Sequence, residues 1–164
     1  MKELSLNILD IAQNSIKAKA KKVNITIAET ADLIEISISD DGIGMKPDFL
    51  KAVTDPFTTT RTTRPVGLGI PLLKLAAEQT GGNVQITSRH FEQFPENHGT
   101  TTTAQFYKNH IDAPPLGDIV ETVVALIQCN PDTEFNFLHK KEEKTIKLET
   151  KELKYECNCS KERF

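Results

Sequence analysis

Apolar side chains recur along the chain with two periods, and the switches between them mark the elements. From 3 to 20, Leu4, Ile8, Ile11, Ala12 and Ile16 share one side of a wheel turning 100° per residue, which predicts an amphipathic helix. The period then falls to two. Val23, Ile25 and Ile27 alternate, as do Ile34, Ile36 and Ile38, which predicts two strands joined by a turn at Thr30-Ala31-Asp32. A short helix is predicted over about 48–54, after Pro47. Residues 55–66 have little apolar periodicity and read as a mobile loop. Gly67-Leu68-Gly69-Ile70-Pro71 opens a helix to about Thr80, and Gly81-Gly82 stops it. Strands follow from Val84 to Ser88 and from Thr100 to Tyr107. Beyond Asp112-Ala113-Pro114-Pro115 the pattern predicts a helix over Leu116–Gln128, a hairpin of Thr133–His139 with Thr145–Thr150, and a frayed charged tail over 151–164.

Composition narrows the class. The 164 residues are 38% hydrophobic and 26% charged with a net charge of −3, as in a soluble globular protein. No apolar run is long enough for a transmembrane helix, and the polar start lacks a signal peptide's apolar stretch. No basic face implies nucleic acid. Three cysteines, an odd count, argue against a disulfide framework and for a reducing cytoplasm.

Three places carry candidate chemistry. Asn7, Asp10 and Asn14 lie within roughly 60° of arc on the first helix, beside its apolar stripe. They are either a solvated polar edge or oxygen ligands for a hydrated cation such as magnesium. Asp40 continues the inward-facing series Ile34, Ile36, Ile38, so it either needs buried donors or begins a turn with Asp41-Gly42. Gly67-Leu68-Gly69 at a helix start presents free N–H groups to an anion, with Arg61 and Arg64 just before it. Taken alone, a tight strand-to-helix or loop-to-helix turn explains those glycines better than an anion site does.

The order of the pieces resembles the Bergerat-fold (GHKL) ATPases: gyrase B, heat-shock-90-type chaperones, histidine kinases, mismatch-repair ATPases and anti-sigma-factor kinases. Asp10-Ile11-Ala12-Gln13-Asn14-Ser15 resembles their N box. Asp40-Asp41-Gly42-Ile43-Gly44-Met45 resembles the D-x-G-x-G adenine box, and Gly67-Leu68-Gly69-Ile70 the second glycine box. Gly99-Thr100 resembles the Gly-Thr signature, and Asp55-Pro56-Phe57 the aromatic box before the lid of histidine kinases. The resemblance covers about residues 3–108. It implies an α/β two-layer sandwich, with helices on one face of a mixed, mostly antiparallel sheet.

It also implies roles. Asn14 would hold the magnesium that bridges the phosphates of ATP. Asp40 would accept from the adenine amino group, Gly42 and Gly44 would let backbone approach the base, and Met45 and Phe57 would belong to the nucleotide site. Residues 55–66 would be the lid, with Arg61 and Arg64 toward the phosphates. Gly67, Leu68 and Gly69 would put backbone amides on the phosphates, and Thr100 would line the adenine end. Asp10 stands where many relatives carry a catalytic Glu, with one methylene less reach. Pro65 replaces a glycine usual in histidine kinases and stiffens a short lid.

The resemblance implies an organisation of 1–108 as the ATP-binding domain and 109–164 as a small helix-and-hairpin appendage. With two residues before the predicted first helix, no phosphoacceptor helix pair is expected. His90, His98, His110 and His139 read as surface histidines. The expected function is an ATP-dependent kinase acting on a separate partner protein. The alternatives are a nucleotide-gated anti-sigma-like binding module and a slow ATPase. The apolar face of 116–128 either packs on its own sheet or docks a dimer mate or substrate protein. Cys129, Cys157 and Cys159 with His139 match no common zinc spacing and read as free thiols.

Overall fold

A computed structural model of the protein describes residues 3–48, 69–111, 113, 115–141 and 144–149. The elements run α1 (Leu4–Lys17), β1 (Lys22–Glu29), β2 (Leu33–Asp40), α2 (Gly69–Gln79), β3 (Val84–Arg89) and β4 (Gly99–Tyr107). They continue with α3 (Ile119–Cys129), β5 (Glu134–Lys141) and β6 (Lys144–Glu149). Helical backbone begins at 47–48. The remainder of the predicted 48–54 helix, the 55–66 loop and the 151–164 tail lie outside the described residues.

Among the described residues the strands form one six-stranded sheet in the order β3-β4-β2-β1-β5-β6. Every neighbouring pair is antiparallel except β1 with β5. The period-two pattern assigns the faces. Val23, Ile25, Ile27, Ile34, Ile36, Ile38, Ala104, Phe106, Phe135 and Phe137 are buried and belong to the same core as the inner sides of α1, α2 and α3. Most alternate positions are polar, and several pair across strands: Gln105 with Glu35 at 2.8 Å, Asn136 with Asn24 at 2.9 Å, and Thr101 with Ser39 at 3.2 Å. The α/β two-layer sandwich expected from the sequence is the one observed.

Residues beyond 110 extend this same sheet. β5 lies beside β1 in parallel, Val23 opposite Phe135 and Ile25 opposite Phe137. α3 begins at Ile119, three residues later than its apolar pattern predicts. Asp118 caps it, accepting from Glu121 N–H at 3.0 Å. The preceding residues have another task. Glu3, the N-cap of α1, makes no side-chain cap bond. The N–H groups of Leu4 and Ser5 instead reach the carbonyls of Pro115 and Leu116, both at 2.9 Å. Gly117 makes this approach possible: its φ is +79°, and a Cβ there would sit 2.4 Å from Ser5 Oγ. The apolar face of α3 is turned inward, with Ile119, Val123 and Leu126 buried.

At the far end of β1, the side chain of Glu29 is 7% exposed and meets Lys108, just past β4, and His139 of β5. Lys108 Nζ lies 3.3 Å from one carboxylate oxygen and His139 Nε2 lies 2.5 Å from the other. Burial raises the pKa of Glu29, but hydrogen bonds and charge from His139 and Lys108 outweigh it and hold the carboxyl below its ordinary value. A carboxylate with a lowered folded-state pKa stabilises the fold above its unfolded pKa, and that stability is lost as pH falls through the folded one. Glu29→Gln should therefore cost about 1–3 kcal/mol at neutral pH. The gap in Tm between wild type and variant should close in acid, below about pH 4.5. Thermal melts from pH 7 to 3 check this; a constant gap would refute it.

Candidate functional site

The end of α1 and the end of β2 meet because the chain between Asp40 and Met45 packs against the last turn of the helix. Ile43 N–H donates to Ala18 O at 2.9 Å. Gly42 is buried there, where a Cβ would stand 2.8 Å from Ala18 O and 2.9 Å from Ala18 Cβ. Gly44 has φ +77°, and a Cβ would fall 2.0 Å from Arg89 O. Both glycines are thus required by neighbouring protein, whatever else approaches them.

This junction walls a cavity of about 190 Å³. Asn14, Ser15, Lys17 and Ile11 face it from α1, Asp40 from β2, Ile43, Gly44 and Met45 from the loop, Ile70 from α2, and Thr100 and Thr102 from β4. The inward carboxylate of Asp40 has its donors. Ser15 Oγ–H donates to Oδ2 at 2.6 Å and Gly42 N–H to Oδ1 at 2.9 Å. These bonds fix the carboxylate plane and leave lone pairs free for a further donor. Thr100 is opposite Asp40 in the β2–β4 register. Its hydroxyl lies 2.7 Å from that of Ser88. Asp41 points elsewhere, accepting from the N–H groups of Lys21 and Lys22 at 2.8 and 2.9 Å, and so caps the start of β1.

Five of the sequence-predicted site residues therefore line one cavity, Asn14, Asp40, Gly44, Met45 and Thr100, while Gly42 does not line it and reaches it only through its N–H bond to Asp40. Phe57, Arg61, Arg64, Gly67 and Leu68 lie outside the described residues, and Gly69 is the first residue of α2. The polar stripe on α1 divides into three. Asn14 faces the cavity, and Asn7 is 2% exposed with Nδ2 unpartnered. Asp10 is exposed and does not line the cavity. An arc of roughly 60° straddles the edge of the buried face, so one stripe meets core, cavity and solvent. Partial desolvation raises the carboxyl of Asp10 above its ordinary pKa, with the charge of Lys17 pulling it down.

Sequence reasoning assigned no role to Ser15 or Thr102. Thr102 was accessible through period two from Thr100; Ser15 follows Asn14 and became significant only once β2 was placed beside α1. Three histidines depart from the surface expectation. His90 is 9% exposed, with its ring centroid 4.7 Å from that of Phe91. His98 is half-buried with Nδ1 against Gly42 O, and His139 pairs with Glu29. Cys129 is exposed and free, and the described residues contain no group of three or more His, Cys, Asp or Glu suited to a metal. No helix among them is long and apolar enough to cross a membrane.

A carboxylate ending a central strand, a carboxamide on the facing helix and a glycine loop between them define a nucleotide-binding α/β sandwich of the Bergerat type. The chain belongs to the family described as "Histidine kinase-, DNA gyrase B-, and HSP90-like ATPase", whose sequence model matches residues 2–110. It carries an ATP-binding domain of the histidine-kinase type. It is 30% identical over 112 residues to the sensor histidine kinase ZraS of Escherichia coli, covering 67% of this chain and 23% of that one. It is 33% identical over 90 residues to sporulation kinase C of Bacillus subtilis, covering 54% and 20%. The chain thus spans under a quarter of the length of these relatives. The Aquifex aeolicus MutL ATPase domain complexed with ADP shares the fold, with a TM-score of 0.56 and 18% identity over 90% of this chain and 64% of that one.

Proposed function

We propose that the cavity binds Mg-ATP and that the protein passes the γ-phosphate to a Ser, Thr or His of a separate partner protein. The observation carrying this reading is that Asn14 and Asp40, 26 residues apart, face one cavity, with the Asp40 carboxylate already oriented by Ser15 and Gly42. Asp40 would take the adenine amino group at one end, beside Thr100. Asn14 and Lys17 stand on the α1 wall, where phosphates would lie. Phe57, Arg61, Arg64, Gly67, Leu68 and Gly69 would complete the phosphate side as lid and second glycine box.

The donor set fits magnesium, which usually keeps several waters and takes few protein ligands. Asn14 offers one carboxamide oxygen on the cavity wall, and no denser ligand cluster competes among the described residues. Bound there, the ion would neutralise phosphate charge. In the transfer itself the acceptor oxygen or nitrogen bonds to the γ-phosphorus, the bond to the bridging oxygen breaks, and ADP leaves. Asp10 would orient the acceptor and take its proton. Its raised pKa suits a base, and its exposure suits an acceptor arriving from another protein.

The same exposure favours a second reading. Asp10 stands outside the cavity wall, so ATP would order the lid and gate partner binding without phosphotransfer. Incubation with γ-labelled ATP and a candidate partner separates the two. Under the kinase reading the partner is labelled, and Asp10→Asn slows labelling about 100-fold while ATP affinity stays within about threefold. ATP binding without label, and equal partner capture by Asp10→Asn, would establish the gated module instead.

A further inference from the structure

We propose that Ser88 and His98 are positioning residues that hold the 42–45 backbone in its nucleotide-binding conformation from the side away from the cavity. The inference rests on the ATP-binding reading of that cavity. Ile43, Gly44 and Met45 line one side of it, so their placement sets the width available to a planar base. Asp40, Asp41, Gly42, Ile43, Gly44 and Met45 alone do not fix that placement. Gly42 and Gly44 have no side chain to anchor them, and Ile43 is 40% exposed.

The anchors come from the β3–β4 corner. Ser88 Oγ accepts the N–H of Met45 at 2.7 Å. His98 Nδ1 meets the carbonyl oxygen of Gly42. A carbonyl oxygen only accepts, so this contact requires the proton on Nδ1 and fixes the ring tautomer. Between these two points Ile43 is bound through its main chain, N–H to Ala18 O and C=O from Phe91 N–H, both at 2.9 Å. Gly44 lies on the backbone of Arg89. The segment therefore has α1 at one end and the 88–98 corner at its back. Gly42 N–H is also held by the Asp40 carboxylate at 2.9 Å, but Asp40 belongs to the cavity itself, so Ser88 and His98 supply the side-chain bonds that substitution can remove without altering the cavity wall. Both side chains face a polar groove of about 430 Å³ behind the loop, separated from the first cavity by Asp40 and Thr100. Neither belongs to the motifs that carry the family resemblance. Catalytic geometry is sensitive to displacements near 1 Å, so releasing either bond acts on affinity without touching the ligand.

The test uses Ser88→Ala, His98→Ala and His98→Asn in the full chain. His98→Asn keeps a side-chain N–H donor. The hydrogen bond of His98 goes to Gly42 and not to Thr100, whereas Ser88 bonds Thr100, so the histidine variants separate loop positioning from any effect through the Thr100 hydroxyl. In nucleotide-free protein, amide hydrogen exchange over 42–45 should rise about fivefold or more in both alanine variants, with β1 and β2 protection unchanged. ATP affinity measured by calorimetry should fall about fivefold to tenfold, the size of one lost hydrogen bond, and His98→Asn should restore most of it. Unchanged exchange at 42–45, or faster exchange with unchanged ATP affinity, would overturn the proposal. Wild-type protein that binds no ATP would instead refute the cavity's assignment, and the exchange measurement would still decide whether these side chains hold the loop.

Discussion

Asp40→Asn should lower ATP affinity about 100-fold while leaving the melting temperature within a few degrees of wild type. The carboxylate holds Ser15 Oγ–H and Gly42 N–H with its two oxygens and has lone pairs left for an incoming amino group. A carboxamide keeps one acceptor and replaces the other with a donor, which opposes Ser15 or Gly42 on one side and the adenine amine on the other. A hydrogen bond to a charged group contributes about 1.5–3 kcal/mol, and an unpaired polar contact adds about 1–3 kcal/mol more. The fold loses little, because Asp40 is only half-buried and Ser15 can still reach one amide atom. Calorimetric titration with ATP checks the expectation. An affinity within threefold of wild type would remove Asp40 from base recognition and with it the orientation of the nucleotide.

The second large effect is on stability. Gly44→Ala should lower Tm by on the order of 10 °C. Its φ of +77° is strained for any residue with a Cβ, and that atom would stand 2.0 Å from the carbonyl oxygen of Arg89, in the backbone of a strand end. Relief requires moving the β3 terminus or the adenine-box loop. A cost near 4 kcal/mol is expected, which for a chain of this size corresponds to the Tm shift above. Gly81→Ala is the matched control. Its φ is similar, +86°, but a Cβ there meets only Tyr107 Cδ2 at 3.7 Å. It should cost about 1 kcal/mol. Equal losses in the two variants would show that backbone strain alone, and not contact with β3, makes Gly44 necessary.

These two positions also show what was legible in the sequence. The alternation of Ile34, Ile36 and Ile38 placed Asp40 on the core side, and the structure supplies the donors such a carboxylate needs. The glycines have a reason beyond the one the resemblance implies. The resemblance implies close approach of a base, whereas the contacts are with Ala18 and Arg89, whose proximity depends on long-range packing. The split of Asn7, Asp10 and Asn14 follows from the width of the buried face of α1, which a wheel does not show. The neighbours of each strand were hidden as well. Phe135 and Phe137 declare which face of β5 is buried, but a period of two says nothing about whether β5 lies beside β1 or β4, or in which direction. His98 and Ser88 carried no local signal, since their partners are main-chain atoms distant in sequence.

The parallel pairing of β1 with β5 has a consequence for synthesis of the protein. Asn24 and Asn136, hydrogen-bonded across that pair, are 112 residues apart in the chain. Translation at about 5–20 residues per second separates them by on the order of 6–22 s. During that interval β1 can pair with β2, but on its other side it has unpaired backbone N–H and C=O groups, flanked on one face by Val23, Ile25 and Ile27. The N-terminus of α1 likewise waits for Pro115 and Leu116 to accept its first amides. Until β5 emerges and pairs with it, that side of β1 has no partner strand.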